Sequence, residues 1–168
     1  MTNCKVLLTG CFSVGKTSLF NRFLYKKFNE QYHTTIGVKV DKKVVSTPNG
    51  DVAIMLWDLA GEMTQNKVPN AYFLGASFIL YVLDLSTPFT WENLVENIEY
   101  LKKVAPGVNI KIIGNKKDLL STDDLVSTLE KIPLTLDLTT SAKTGENIDS
   151  LFNQIANETL SSRTTTSF

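Results

Sequence analysis

The chain is short of the residues that build stapled, strongly charged or membrane-spanning proteins. Its 168 residues contain only Cys4 and Cys11 as cysteines. Two cysteines so close together cannot frame a disulfide-stabilised fold, which points to a reducing compartment. Neither sign of charge is in excess, with 17 basic and 17 acidic side chains. That balance leaves no electrostatic footprint for nucleic acid or an anionic membrane surface. Arginine is scarce, with Arg22 and Arg163 the only two, and His33 is the single histidine. No apolar run approaches the roughly 20 residues of a membrane-spanning helix, and polar sequence within ten residues of the start leaves no room for a signal peptide. A soluble, cytoplasmic protein is expected.

Hydrophobic residues make up 43% of the chain, enough for one substantial core. One domain is expected over residues 1–160, with a Ser/Thr-rich tail over 161–168 that frays. Near-continuous apolar runs cover Lys5 to Thr9, Val52 to Trp57, Phe78 to Leu83 and Asn109 to Ile113, with a weaker one from Pro133 to Leu138. Runs without alternation suit strands covered on both faces. Between them, Leu19, Phe20, Phe23 and Leu24 repeat at helical spacing, as do Trp91, Leu94, Val95, Ile98 and Leu101, and Ile148, Leu151, Phe152 and Ile155. Residues 38–47 are rich in lysine and valine and precede Pro48-Asn49-Gly50-Asp51, a turn signal. They read as an edge strand paired antiparallel with the next.

Strands alternating with helices predict an open, mostly parallel α/β sheet, in which ligands sit beyond the carboxyl ends of the strands. Polar clusters follow the buried runs at Gly10 to Thr17, Asp58 to Glu62, Asn115 to Asp118 and Thr140 to Lys143. All four should therefore converge on one edge of the sheet.

Gly10-Cys11-Phe12-Ser13-Val14-Gly15-Lys16-Thr17 fits the phosphate-binding P-loop, placed after a strand and before a helix. Glycines let backbone N–H groups turn inward around a phosphate, and the helix N-terminus adds positive potential. Lys16 would bridge the β- and γ-phosphates, and the Thr17 hydroxyl would face Mg²⁺. The motif serves ATPases and nucleotide kinases as well, so it does not choose the base.

Taken with Asn115-Lys116-Lys117-Asp118 and Thr140-Ser141-Ala142-Lys143, the P-loop makes the chain resemble the Ras superfamily of small GTPases across residues 4–160. Thr34-Thr35-Ile36-Gly37 and Trp57-Asp58-Leu59-Ala60-Gly61 look most like the Rab branch. The resemblance implies a P-loop GTPase domain, with a six-stranded sheet, one antiparallel edge strand and helices on both faces. It also implies bound GTP or GDP with Mg²⁺. Ser13, Val14, Gly15, Lys16, Thr17 and Ser18 would then hold the phosphates. Asn115, Lys116, Asp118, Ser141, Ala142 and Lys143 would surround guanine, with Phe28 against the base edge and Tyr32 closing over the phosphates. Asp118 could accept from guanine N1–H and its 2-amino group; adenine offers neither and would leave the carboxylate unpaired.

Switch I (about 28–38) and switch II (about 59–74) would respond to the γ-phosphate, through Thr35 and the Gly61 N–H respectively. Mg²⁺ would be held by Thr17, Thr35 and, through water, Asp58. The catalytic set implied is Lys16, Thr35, Gly61 and Glu62. Three residues depart from the family pattern, one of them Met63, which stands where a glutamate is common. Glu62 stands where glutamine usually orients the attacking water, and Phe12 puts a ring where a small residue usually faces the γ-phosphate. The expectation is a monomeric, slowly hydrolysing switch that meets effectors, exchange factors and GTPase-activating proteins through its switches. Neither arginine is placed for a cis arginine finger. The alternative, resting on Glu62 and Phe12, is a GTP-binding module that scarcely hydrolyses; a P-loop phosphotransferase would need an acceptor site and an arginine-rich lid, and the chain has neither. No cysteine stands near the end of the chain and Thr2 follows the initiator, so no direct lipid anchor is expected.

Overall fold

The computed structural model describes residues 1–31, 35–59 and 68–164. Strand β1 (Thr2–Thr9) leads into helix α1 (Lys16–Tyr25), followed by the hairpin of β2 (Val38–Thr47) and β3 (Gly50–Leu59). Then come β4 (Phe78–Asp84), α2 (Leu94–Val104), β5 (Asn109–Asn115), α3 (Thr122–Lys131), β6 (Leu138–Thr139) and α4 (Ile148–Thr164). The strands form one six-stranded sheet in the order β2-β3-β1-β4-β5-β6. Among the described strands, only the β2–β3 pair is antiparallel. Thr47 lies opposite Gly50, so the hairpin turns on Pro48 and Asn49, both common turn residues.

Strand periodicity divides the core in two. Val6 and Leu8 of β1, with Leu80 and Val82 of β4, meet α1 through Leu19, Phe20 and Phe23 and α4 through Leu151, Phe152 and Ile155. Leu7, Ile79, Tyr81 and Leu83 face the other way, onto Leu94, Ile98 and Leu101 of α2. Helices therefore cover both faces, and the expected α/β architecture holds. No helix among the described residues is long and apolar enough to cross a membrane.

Three details differ from the sequence reading. The run from Pro133 to Leu138 is not a strand. Pro133 has no N–H to give, and pairing starts only where Asp137 N–H donates to the Ile112 carbonyl at 2.9 Å. Helix α3 was not among the expected stripes, because it has no fully buried residue to set a period. Its signal was the cap: Ser121 Oγ accepts the Asp124 N–H at 3.1 Å. Helix α4 passes the boundary expected at residue 161, with Ser161 and Ser162 donating to the Asn157 and Glu158 carbonyls at 3.0 and 2.7 Å. Phe73, Phe78 and Trp91 are core residues, whereas Phe89 is 70% exposed; in the 3₁₀ turn Pro88–Trp91 the buried positions are Thr90 and Trp91.

Candidate functional site

The carboxyl ends of the parallel strands open onto one cavity of about 550 Å³, within the usual range for small-molecule sites. Its walls include Ser13, Gly15, Lys16, Thr17 and Ser18 from the P-loop, Phe28 and Thr35 from the following segment, and Asn115, Lys116, Asp118, Ala142 and Lys143 from the far loops. The expected convergence is thus observed for these residues.

Two glycines allow the P-loop to sit this close. A Cβ on Gly10 would lie 2.1 Å from the Val82 carbonyl oxygen, and one on Gly15 would lie 2.3 Å from Asn115 Nδ2. Both positions have positive φ. The Asn115 amide, almost fully buried, knots three segments together. Nδ2 donates to the Val14 carbonyl at 3.0 Å, while Oδ1 accepts from Thr140 Oγ1 at 3.2 Å and from the Ala142 N–H at 3.1 Å. The Ala142 N–H is thus directed at Asn115. Ser141 Oγ donates to Asp118 Oδ1 at 2.6 Å, which orients the carboxylate and leaves its second oxygen available.

Lys16 is buried, and its ammonium donates to the Gly10 and Cys11 carbonyls at 3.0 and 2.7 Å. Burial pulls its pKa down to about 8, against the pull of nearby Asp58. Asp58 is fully buried and shifted the opposite way: desolvation raises its carboxyl above the usual range, although the Thr17 hydroxyl and Lys16 oppose the shift. Each group therefore leans toward its neutral form, because burial outweighs their mutual attraction. Thr17 Oγ1 reaches Asp58 Oδ2 at 2.5 Å and Thr35 Oγ1 at 2.6 Å, while Asp58 Oδ1 is buried without a partner. Three hard oxygen donors meeting beside an orphaned carboxylate oxygen suit a small divalent cation that keeps most of its shell from water and phosphate.

Two positioning side chains were missed. Arg22 of α1 donates through Nε to the Ala142 carbonyl at 2.7 Å and through a second nitrogen to the Lys143 carbonyl. Asp84, at the end of β4, pairs with the Lys116 ammonium at 2.7 Å. Asp84 was legible in principle, since it closes the buried run of β4 as Asp58 closes that of β3. Nothing in the sequence marks Arg22. Around the cavity, Lys143 pairs with Glu30 at 3.4 Å. Trp57 is half-buried, with the Lys5 ammonium 4.1 Å from its ring centre and Tyr72 beside it.

A sequence profile of the Ras family matches residues 5–161. The chain belongs to the Ras family. Relatives with Rab names are among those it resembles, as the resemblance implied. Ras-related protein Rab-4A of Danio rerio is 35% identical over 163 residues, which are 93% of this chain and 76% of that protein. Ras-related protein rab-11.1 of Caenorhabditis elegans is 32% identical over 160 residues, 92% of this chain and 75% of its own. Ras-related protein YPT3 of Nicotiana plumbaginifolia is 31% identical over 156 residues, 89% and 71%. Within this Ras-family domain, Tyr32, Gly61 and Glu62 lie outside the described residues, as does His33.

Proposed function

We propose that this Ras-family chain is a cytoplasmic small GTPase switch, binding GTP or GDP with Mg²⁺ and hydrolysing GTP slowly. The observation that carries the reading is the meeting, in one cavity, of a P-loop with the Asn115–Asp118 and Ser141–Lys143 loops. A phosphate cradle alone fits many nucleotides; the carboxylate of Asp118, held by Ser141, selects a base that presents two adjacent N–H donors. Phe28 and Lys116 would flank that base. Thr17, Thr35 and Asp58 fit Mg²⁺ through the oxygens described above. Bound there, the ion would neutralise charge on the phosphate oxygens.

The chain's own residues supply the rest. Lys16, held over the P-loop by two carbonyls, would place its charge on the β- and γ-phosphates. Thr35 and the Gly61 N–H would sense the γ-phosphate, so its loss would release segments 28–38 and 59–74. Glu62 can accept a hydrogen bond from the attacking water, but as a carboxylate it cannot donate to a phosphoryl oxygen. Arg22 is committed to the Ala142 and Lys143 carbonyls. A stimulatory arginine would therefore come from a partner docking on the switches, worth about 10³ to 10⁵ in rate. Phe12, 46% exposed at the P-loop, favours a second reading in which hydrolysis is nearly absent and the chain is a GTP-binding module.

Single-turnover hydrolysis tests both. Protein loaded with GTP and Mg²⁺ should convert it to GDP and phosphate over minutes to hours, and Glu62→Gln should quicken the conversion. Intact GTP after that time would support the binding module. Failure to retain either guanine nucleotide would overturn the proposal.

A further inference from the structure

Lys116 has an unusual pair of anchors. It stands in the left-handed region at φ 63°, which turns its side chain back across the mouth of the P-loop. Its ammonium donates to the Ser13 carbonyl at 2.7 Å and pairs with Asp84 Oδ2, also at 2.7 Å. The Asp84 side chain is only 5% exposed, whereas that of Lys116 is 30% exposed. The buried partner is therefore the fixed one.

Asp84 is itself held from several directions. Its Oδ1 accepts the Ser86 N–H at 2.9 Å and the Ser86 hydroxyl at 2.6 Å. Its Oδ2 also accepts the Thr87 hydroxyl at 3.2 Å. The backbone is pinned as well, with Asp84 N–H donating to Thr90 Oγ1 at 3.0 Å and the next N–H, of Leu85, donating to the Asn115 carbonyl at 3.0 Å. A buried carboxylate so fully satisfied is a rigid post, and the flexible lysine stem is tied to it by a charge-assisted bond.

We propose that Asp84 is a positioning residue for nucleotide retention, acting through Lys116. Resting on the guanine-nucleotide reading above, the proposal deepens it by assigning a function to the end of β4. With Asp84 ionised, the Lys116 stem is locked across the base side of the cavity and the P-loop is clamped at Ser13. Without that charge the lysine keeps a single carbonyl partner and regains its rotamers, so both base platform and P-loop loosen. Asp84 touches neither base nor phosphate; its influence travels through one side chain.

The test is release of fluorescent mant-GDP, chased with unlabelled GDP, from wild type, Asp84→Asn, Lys116→Ala and the double variant. Wild type should release slowly and Asp84→Asn about tenfold faster, the scale of one charge-assisted bond. In the Lys116→Ala background the Asp84 change should add less than twofold, because its route is already gone. Wild-type release rates in Asp84→Asn, or the full tenfold acceleration repeated on top of Lys116→Ala, would overturn the proposal. A merely structural role would produce that second result. If Asp84→Asn does not fold, Ser86→Ala frees Asp84 Oδ1 from a hydroxyl without removing charge. It should speed release two- to threefold in wild type and not in Lys116→Ala; equal effects in both would overturn the proposal. Wild type that binds no mant-GDP would instead refute the nucleotide reading itself.

Discussion

Arg22 and Ala142 are 120 positions apart in sequence, yet Arg22 Nε–H donates to the Ala142 carbonyl oxygen at 2.7 Å. The guanidinium also reaches the Lys143 carbonyl. The helix that begins at the P-loop is thereby tied to the loop expected around the base. The tie sits behind the cavity, so its effect should appear in retention rather than in chemistry.

Replacing Arg22 by Ala leaves two carbonyls without their donor, at a cost of about 1–3 kcal/mol. Arg22→Ala should release GDP about tenfold faster than wild type. Arg22→Lys should restore little, because one ammonium cannot reproduce a planar fork across two carbonyls. Stopped-flow release of mant-GDP decides the matter, and full rescue by lysine would show that charge alone suffices.

Much of this was legible in the sequence, and the limits have physical causes. The runs at β1, β3, β4 and β5 were clear because strands covered on both faces stay apolar throughout. The meeting of the P-loop with the Asn115–Asp118 and Thr140–Lys143 clusters was legible because each follows a buried parallel strand, and the carboxyl ends of those strands open onto one cavity. Helix α3 was missed because it lies on the surface, with no buried residue to impose a period. The Lys43 ammonium donates to the Phe23 carbonyl at 2.7 Å beside the Phe23 ring. Such long-range ties carry no local signature, and Arg22 is another of them.

Cys4 and Cys11 should differ in reactivity. Cys4 is fully buried, and desolvation raises its thiol pKa against the opposing hydrogen bond from Thr159. Cys11 is only partly buried, with its Sγ 3.5 Å from the Thr90 carbonyl oxygen. Ellman's reagent should titrate one thiol in the native protein and two in denaturant, since the reacting species needs access as well as ionisation. Cys11→Ser should abolish the native reaction. Equal labelling of both thiols in native protein would contradict the packing of Cys4 against α4.

Asp58 should cost stability when nothing binds beside it. Its carboxyl pKa is raised above 3.8, mainly by desolvation, so the folded state holds the proton more tightly than the unfolded chain. The stabilising contribution is full below the unfolded value and is lost as pH rises through the folded value. At neutral pH the charge is therefore a liability, and Asp58→Asn should raise the melting temperature of nucleotide-free protein in EDTA by a few degrees, about 2–4 °C per kcal/mol. The same variant should lose Mg²⁺-dependent nucleotide retention. A lower melting temperature for Asp58→Asn in EDTA would contradict the desolvation argument.

Lys16 makes a prediction about protons. Its pKa falls from 10.5 to about 8, chiefly through burial. Between those values the unfolded chain keeps a proton that the empty folded site has released, so stability rises with pH across that window; below about 8 the penalty is felt in full. A polyphosphate reverses the preference by presenting negative charge to the ammonium. Binding of GDP at pH 9 should therefore take up roughly one proton per site. Calorimetric titrations in buffers of different ionisation enthalpy would report that uptake as a buffer-dependent binding heat. Lys16→Arg should show none from this group, because a guanidinium stays charged throughout. A wild-type binding heat independent of buffer at pH 9 would mean that Lys16 is already protonated in the empty site, and that its two carbonyl partners outweigh its burial.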